Sequence, residues 1–126
     1  MTKLIKMFSV ALLLLVIGCK KQNNNIVDIR VSDLQTVTST HSEIQLVDVR
    51  TPEECKNGMI NKAINIDVTS PDFEEKALRE LKKDAPVYLY CRSGGRSIIA
   101  AEMLAEKGFE IYNLEGGYLN WKEENK

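Results

Sequence analysis

The sequence contains a single histidine, His41, so no site can be built from several imidazoles. Its three cysteines, Cys19, Cys55 and Cys91, show no C-x-x-C spacing, which argues against zinc ribbons and thioredoxin-like redox pairs. No apolar run reaches the roughly twenty residues a membrane-spanning helix needs; the run from Met7 to Ile17 is about half that. Charge excess is absent too. With 17 basic and 18 acidic residues the formal net charge is −1, which gives no general reason to expect nucleic acid or anionic lipid as a partner. Internal repeats are also missing. What remains is 126 residues, 44% apolar and 28% charged, the size and balance of one ordinary globular domain.

The first residues, "MTKLIKMFSVALLLLVIGC", combine Lys3 and Lys6 with a short apolar run and a small residue before Cys19. That is the pattern of a secretory leader. The "VIGC" ending resembles the lipobox of bacterial lipoproteins, a family in which the cysteine after the cut is lipidated. The resemblance implies a signal peptide over 1–18, lipidation at Cys19 and a polar tether over 19–25. It also implies a domain outside the cytoplasm, held at a membrane of the cell envelope, in the periplasm or at the cell surface. Loss of Lys3 and Lys6 leaves 17 − 2 = 15 basic residues against 18 acidic, a net of −3. Any anion site must then be made locally.

From Ile26 the chain alternates β-rich and helical stretches. Strands are expected at "IVDI", "IQLVDV", "AINI", "PVYLYC" and "EIYNL". A short helix, "SDLQTV", should start at Ser32 or Asp33. "TPEECKNG" reads as another, with Thr51 as N-cap, Pro52 at the first position and Gly58 as its stop. "SPDFEEKALRELKK" predicts a helix capped by Ser70, with Phe73, Ala77, Leu78 and Leu81 on its buried face. "RSIIAAEMLAEKG" and the terminal "GGYLNWKEENK" complete the helices. This alternation predicts an α/β fold, a mostly parallel five-stranded sheet with helices on both faces. Such sheets bind ligands beyond the carboxyl ends of their strands, where Cys91 falls.

The stretch "CRSGGRS", residues 91–97, has no use in a core. Gly94 and Gly95 allow successive backbone N–H groups to turn inward, and the following helix N-terminus adds partial positive charge. A cysteine beside such a nest and two arginines should have a pKa lowered into the range of about 3.5–7.5, a resting thiolate needing no histidine base. His41, ahead of the second strand, is poorly placed to be one.

Together with "LVDVRTPEE" upstream and "LEGGYLNW" downstream, "CRSGGRS" resembles the single-domain rhodanese sulfurtransferases, over residues 26–124. The resemblance implies the three-layer rhodanese-like fold and no metal or organic cofactor. It implies that Cys91 takes a sulfane sulfur from a small anionic donor such as thiosulfate, as a persulfide. The sulfur then passes to a thiophilic acceptor, cyanide or a thiol. Carried over by position, Arg92 and Arg96 orient the donor, and the backbone of Ser93, Gly94, Gly95, Arg96 and Ser97 cradles the persulfide charge. Phosphatases that resemble this family use C-x5-R. Here the arginine stands at C-x4-R, a shorter ring that suits sulfur better than phosphate and leaves phosphatase or arsenate reductase the weakest reading.

Around the loop, alternatives stay open. Asp48 and Arg50 either shape the rim of the pocket or form a salt-bridged strand end, the arginine pairing with Glu53 or Glu54. Cys55 is either a small apolar filler or a resolving cysteine for Cys91. Met59 stands where the family often has a histidine. Gly116 and Gly117 read as a turn and Trp121 as a packing anchor. Two functions fit these features: a sulfurtransferase enzyme, expected to act as a monomer, and a persulfide carrier or binding module serving one partner protein.

Overall fold

The structure, a computed structural model, describes residues 25–126. The expected signal peptide, the lipidated Cys19 and most of the tether lie outside the described residues. The elements follow one another as β1 (Ile26–Ile29), α1 (Val31–Thr40), β2 (Gln45–Asp48), α2 (Pro52–Cys55), β3 (Ile64–Asn65), α3 (Phe73–Glu80), β4 (Val87–Tyr90), α4 (Gly95–Glu106), β5 (Ile111–Leu114) and α5 (Gly117–Glu124). The five strands form one sheet in the order β1-β5-β4-β2-β3, and every pairing is parallel. β4, the strand that delivers Cys91, lies in the middle, flanked by β2 and β5.

Side chains alternate along each strand, so the sheet separates two cores. Val47, Val87, Leu89 and Ile111 pack with Phe73 and Ala77 of α3 and with Ala100, Ala101 and Leu104 of α4. Leu46, Tyr90 and Leu114 point the other way, against Val31 and Leu34 of α1, with Tyr118 and Trp121 of α5 at the edge. Helices therefore cover both faces, as the near-continuous apolar strands require. Each fully buried leucine, isoleucine or phenylalanine is worth about 1.5–3 kcal/mol.

Local boundaries depart from expectation where tertiary packing intervenes. α1 begins at Val31, one residue before Ser32, because the Asp33 carboxylate accepts from the Arg30 N–H at 2.9 Å and closes the turn earlier. α3 begins at Phe73 with Asp72, not Ser70, as its N-cap; the Ser70 hydroxyl donates to the Asp72 carboxylate instead. Leu78 is exposed, because the buried stripe of this two-turn helix needs only Phe73 and Ala77, with Leu81 at its extended C-cap.

Candidate active site

Cys91 follows β4 directly at the carboxyl edge of the sheet, and its side chain points into the core shared with α4. The chain reaches α4 through Arg92, Ser93 and Gly94. Gly94 has φ of +124°, a conformation open to glycine, and this turn aims its N–H at the Cys91 Sγ at 3.0 Å. Ser97, buried in the first turn of α4, places its hydroxyl oxygen 3.4 Å from the same sulfur and 3.2 Å from the Gly94 carbonyl. Cys91 is 1% exposed. Burial raises its pKa. Hydrogen bonding with the Ser97 hydroxyl, and then with the amides of Ser97, Gly94 and Ser93, outweighs it and holds the thiol below its ordinary value. The arginines are not among these leading causes.

Arg96 does not face the sulfur as a free cation. Its guanidinium donates to both carboxylate oxygens of Glu54, at 2.6 and 2.9 Å. Glu54 is itself fixed by the cap of α2: its amide donates to the Thr51 hydroxyl, which donates back to the carboxylate. The Arg96 hydrogen bonds, opposed by partial burial and aided by Thr51, bring Glu54 down to about 2. Arg92 is exposed and makes no ion pair among the described residues, which leaves it as the loop's available cation.

Asp48 and Arg50 are buried and form a salt-bridged strand end, so of the two readings it is the placement on the rim that is corrected. They pair with each other, through contacts of 2.7–3.1 Å, rather than with Glu53 or Glu54. The second guanidinium nitrogen also donates to the Gly58 carbonyl at 2.7 Å. Hydrogen bonding to Asp48 holds Arg50 firmly protonated against the opposing effect of burial. The guanidinium lies 4.4 Å from the centre of the Tyr118 ring.

Tyr118 leads back to the loop. Its N–H donates to the Cys91 carbonyl at 2.8 Å, and the next amide, Leu119, donates to the Arg92 carbonyl at 3.1 Å. The start of α5 therefore satisfies the loop's carbonyls while the loop's own amides turn toward the sulfur. Gly117, at φ +58°, has to be glycine twice over: a Cβ would stand 2.5 Å from the Cys91 carbonyl oxygen. Gly116, also at positive φ, begins the same turn.

The structure thus brings Cys91, Ser93, Gly94 and Ser97 together at the sulfur. Gly95 opens α4, and Arg92 stands outside. Cys55 is half-buried, a free thiol like Cys91; burial and then Asp48 push it up to about 11, so it is a poor nucleophile. His41 ends α1 and lines a cavity of about 860 Å³ at the amino ends of β2 and β4, the sheet edge opposite the loop. Sequence offers Glu54 only as a partner for Arg50, not for Arg96, and does not point to Tyr118. The Thr-x-x-Glu cap of α2 was a readable signal for Glu54's local role, but nothing local points to Arg96, 42 residues away. Chemically, the site is a buried sulfur whose negative charge is stabilised by aimed amides, with one exposed cation, Arg92, on the loop.

Comparison with known proteins gives the family of this fold. The family described as "Rhodanese-like domain" matches residues 31–124. The chain is 38% identical over 99 residues to the putative sulfurtransferase YtwF of Bacillus subtilis, covering 79% of this chain and 93% of that protein. It is 32% identical over 96 residues to the thiosulfate sulfurtransferase GlpE of Shewanella oneidensis, covering 75% and 91%. Among solved structures, a rhodanese-like domain protein from Staphylococcus aureus superposes with a TM-score of 0.68 at 32% identity, covering 75% and 89%.

Proposed function

Because the chain belongs to the rhodanese-like domain family, we propose that it is a sulfurtransferase that carries sulfane sulfur on Cys91. The Cys91 thiolate attacks the outer sulfur of thiosulfate, or of a similar donor. A sulfur–sulfur bond forms at Cys91, the donor's own sulfur–sulfur bond breaks, and sulfite leaves with the electron pair. In the second step cyanide or a thiolate attacks the terminal sulfur of the persulfide. Thiocyanate or a new persulfide departs, and the Cys91 thiolate returns. Charge and electrons balance in both steps, with no oxidant or cofactor required.

The observation that carries this reading is the Gly94 N–H aimed at the Cys91 sulfur at 3.0 Å, in a loop of C-x4-R length. Such donors favour the thiolate before attack and the persulfide anion after it. A thiosulfate donor has support in the likeness to a protein named for that substrate. Arg92 at the mouth suits a divalent anion, and the short loop suits sulfur better than phosphate.

The deciding experiment is the intact mass of the purified chain after incubation with thiosulfate, beside Cys91→Ser. The expected result is a gain of one sulfur atom, absent in the variant and removed by cyanide. Loading from a persulfide donor but never from thiosulfate would instead assign a carrier that serves one partner protein. No loading from either donor would sink sulfur transfer at Cys91. The proposal extends to location: cleavage before Cys19 and lipidation there would hold domain 26–124 at a membrane, outside the cytoplasm. Fatty-acid labelling lost in Cys19→Ser would support that, and unlabelled, unprocessed chain would reject it.

A further inference from the structure

The Cys91 loop is flanked by the first turns of two helices that meet there. Gly94 precedes α4 and Gly116 precedes α5, and a Cβ on Gly94 would stand 3.9 Å from the Gly116 amide. The Leu119 amide is bonded to the Arg92 carbonyl. Within the first five residues of these helices stand Ile98 and Ile99, at 49% and 56% exposure, and Leu119, at 40%. They are three of the six large apolar side chains exposed among the described residues, so half of that set stands on the two helix starts that adjoin one loop.

The fold gives these side chains no packing role. α4 packs through Ser97, Ala100, Ala101, Leu104 and Ala105. Two β-branched residues on its solvent face are poorer helix formers than alanine and leave apolar area in water. Apolar side chains scattered singly over a surface need no explanation, but a set concentrated around a reactive group does. Charge adds a second constraint. Glu54 occupies Arg96 and Asp48 occupies Arg50, so Arg92 is the cation left to meet an incoming group. The sulfur itself is almost wholly buried, so an acceptor must be brought over the loop in a narrow range of orientations.

Resting on the sulfurtransferase reading, we infer that Ile98, Ile99 and Leu119 form an apolar collar for a protein acceptor. Its reactive cysteine would lie in an apolar segment carrying an acidic side chain. The apolar flanks seat on the collar, the acid meets Arg92 once sulfite has left, and the acceptor thiolate faces the terminal sulfur of the Cys91 persulfide. That sulfur bonds to the acceptor as its bond to Cys91 breaks, and the electron pair returns to Cys91.

The test follows sulfur from the loaded full chain to three acceptors: free cysteine, a cysteinyl peptide flanked by leucines and an aspartate, and one of equal length flanked by glycines and a lysine. The leucine–aspartate peptide should be preferred by about tenfold in kcat/KM, the scale of one partly buried large apolar side chain. Ile98→Ser with Ile99→Ser should remove most of that preference while loading of Cys91 and transfer to free cysteine stay as in the parent. Equal rates for the two peptides, or a preference that survives the double variant, would overturn the collar while leaving sulfur transfer standing. Equal rates together with lost binding to phosphatidylethanolamine–phosphatidylglycerol vesicles in the double variant would reassign the surface to a membrane. Failure of Cys91 to load from any sulfane donor would overturn both readings.

Discussion

The N–H of Tyr118 donates to the carbonyl oxygen of Cys91 at 2.8 Å, so the main chain of the reactive cysteine is held by the C-terminal helix and not by its own loop. The consequence is directional. A peptide whose carbonyl is fixed on one side presents the following amides to the other, where Gly94 meets the sulfur. α5 lies against the opposite core from α4, so the loop is clamped between the two helical layers.

Gly117→Ala tests the clamp. The substitution places a Cβ at 2.5–2.7 Å from the carbonyl oxygens of Cys91 and Arg92 at a residue with φ of +58°. The left-handed conformation alone costs about 1–2 kcal/mol for a non-glycine residue, and backbone oxygens have little room to yield. A lower melting temperature and slower alkylation of Cys91 at neutral pH are expected. A normal alkylation rate in a folded Gly117→Ala protein would show that α5 does not set the loop's geometry.

Ser97→Ala tests the sulfur's donors. The native Cys91 pKa is lowered, because hydrogen bonds from Ser97 and the loop amides outweigh burial. The native state therefore gives up this proton more readily than the unfolded chain. Its contribution to stability is present above the unfolded thiol's pKa and is lost as pH falls through the native one. Iodoacetamide alkylation against pH should show an inflection below that of an unstructured cysteinyl peptide, moved upward in Ser97→Ala. An unmoved inflection would leave the backbone amides as the sole cause.

Much of this site is legible in the sequence because its signals are local. Thr51-Pro52 and Gly58 bracket α2, the alternating apolar strands imply a covered parallel sheet, and the run from Cys91 to Ser97 puts thiol, glycines and helix start in one segment. What escaped reading depends on contacts between distant segments. Arg96 looks like a free cation until α2 brings Glu54 to it, and Asp48–Arg50 reads as either a rim or a salt-bridged strand end until burial and the Tyr118 ring of α5 decide for the second. Leu78 fits a helical period, but the helix is too short to bury a second stripe.

Glu54→Gln separates binding from positioning. The pair is partly exposed, so its loss should cost at most about 1 kcal/mol of stability. With Glu54 at about 2, the native pair's contribution is complete above the ordinary carboxylate range and is lost as pH falls toward 2, so it is intact at neutral pH. Freed from its carboxylate, Arg96 can attract the anionic donor but no longer braces the start of α4. Both KM for thiosulfate and kcat should fall in steady-state cyanide assays. A raised KM with unchanged kcat would mean that Glu54 serves donor binding and does not position the loop.

Asp48→Asn should be the most damaging of these changes. It leaves the Arg50 guanidinium, 4% exposed, without its counter-ion, and breaking a buried pair from one side costs about 3–5 kcal/mol. Replacing both partners, as Asp48→Leu with Arg50→Met, removes the unpaired charge and should recover most of that stability in urea unfolding. Recovery should not extend to the sulfur. Without a guanidinium 4.4 Å from its ring centre, Tyr118 loses the contact that fixes the first turn of α5, and the amide held to the Cys91 carbonyl loosens with it. The double variant is therefore expected to be stable, with a Cys91 alkylation inflection above the parent's. If stability and thiol acidity return together, the buried pair serves the core alone, and Tyr118 keeps its place over the loop by packing against Tyr90.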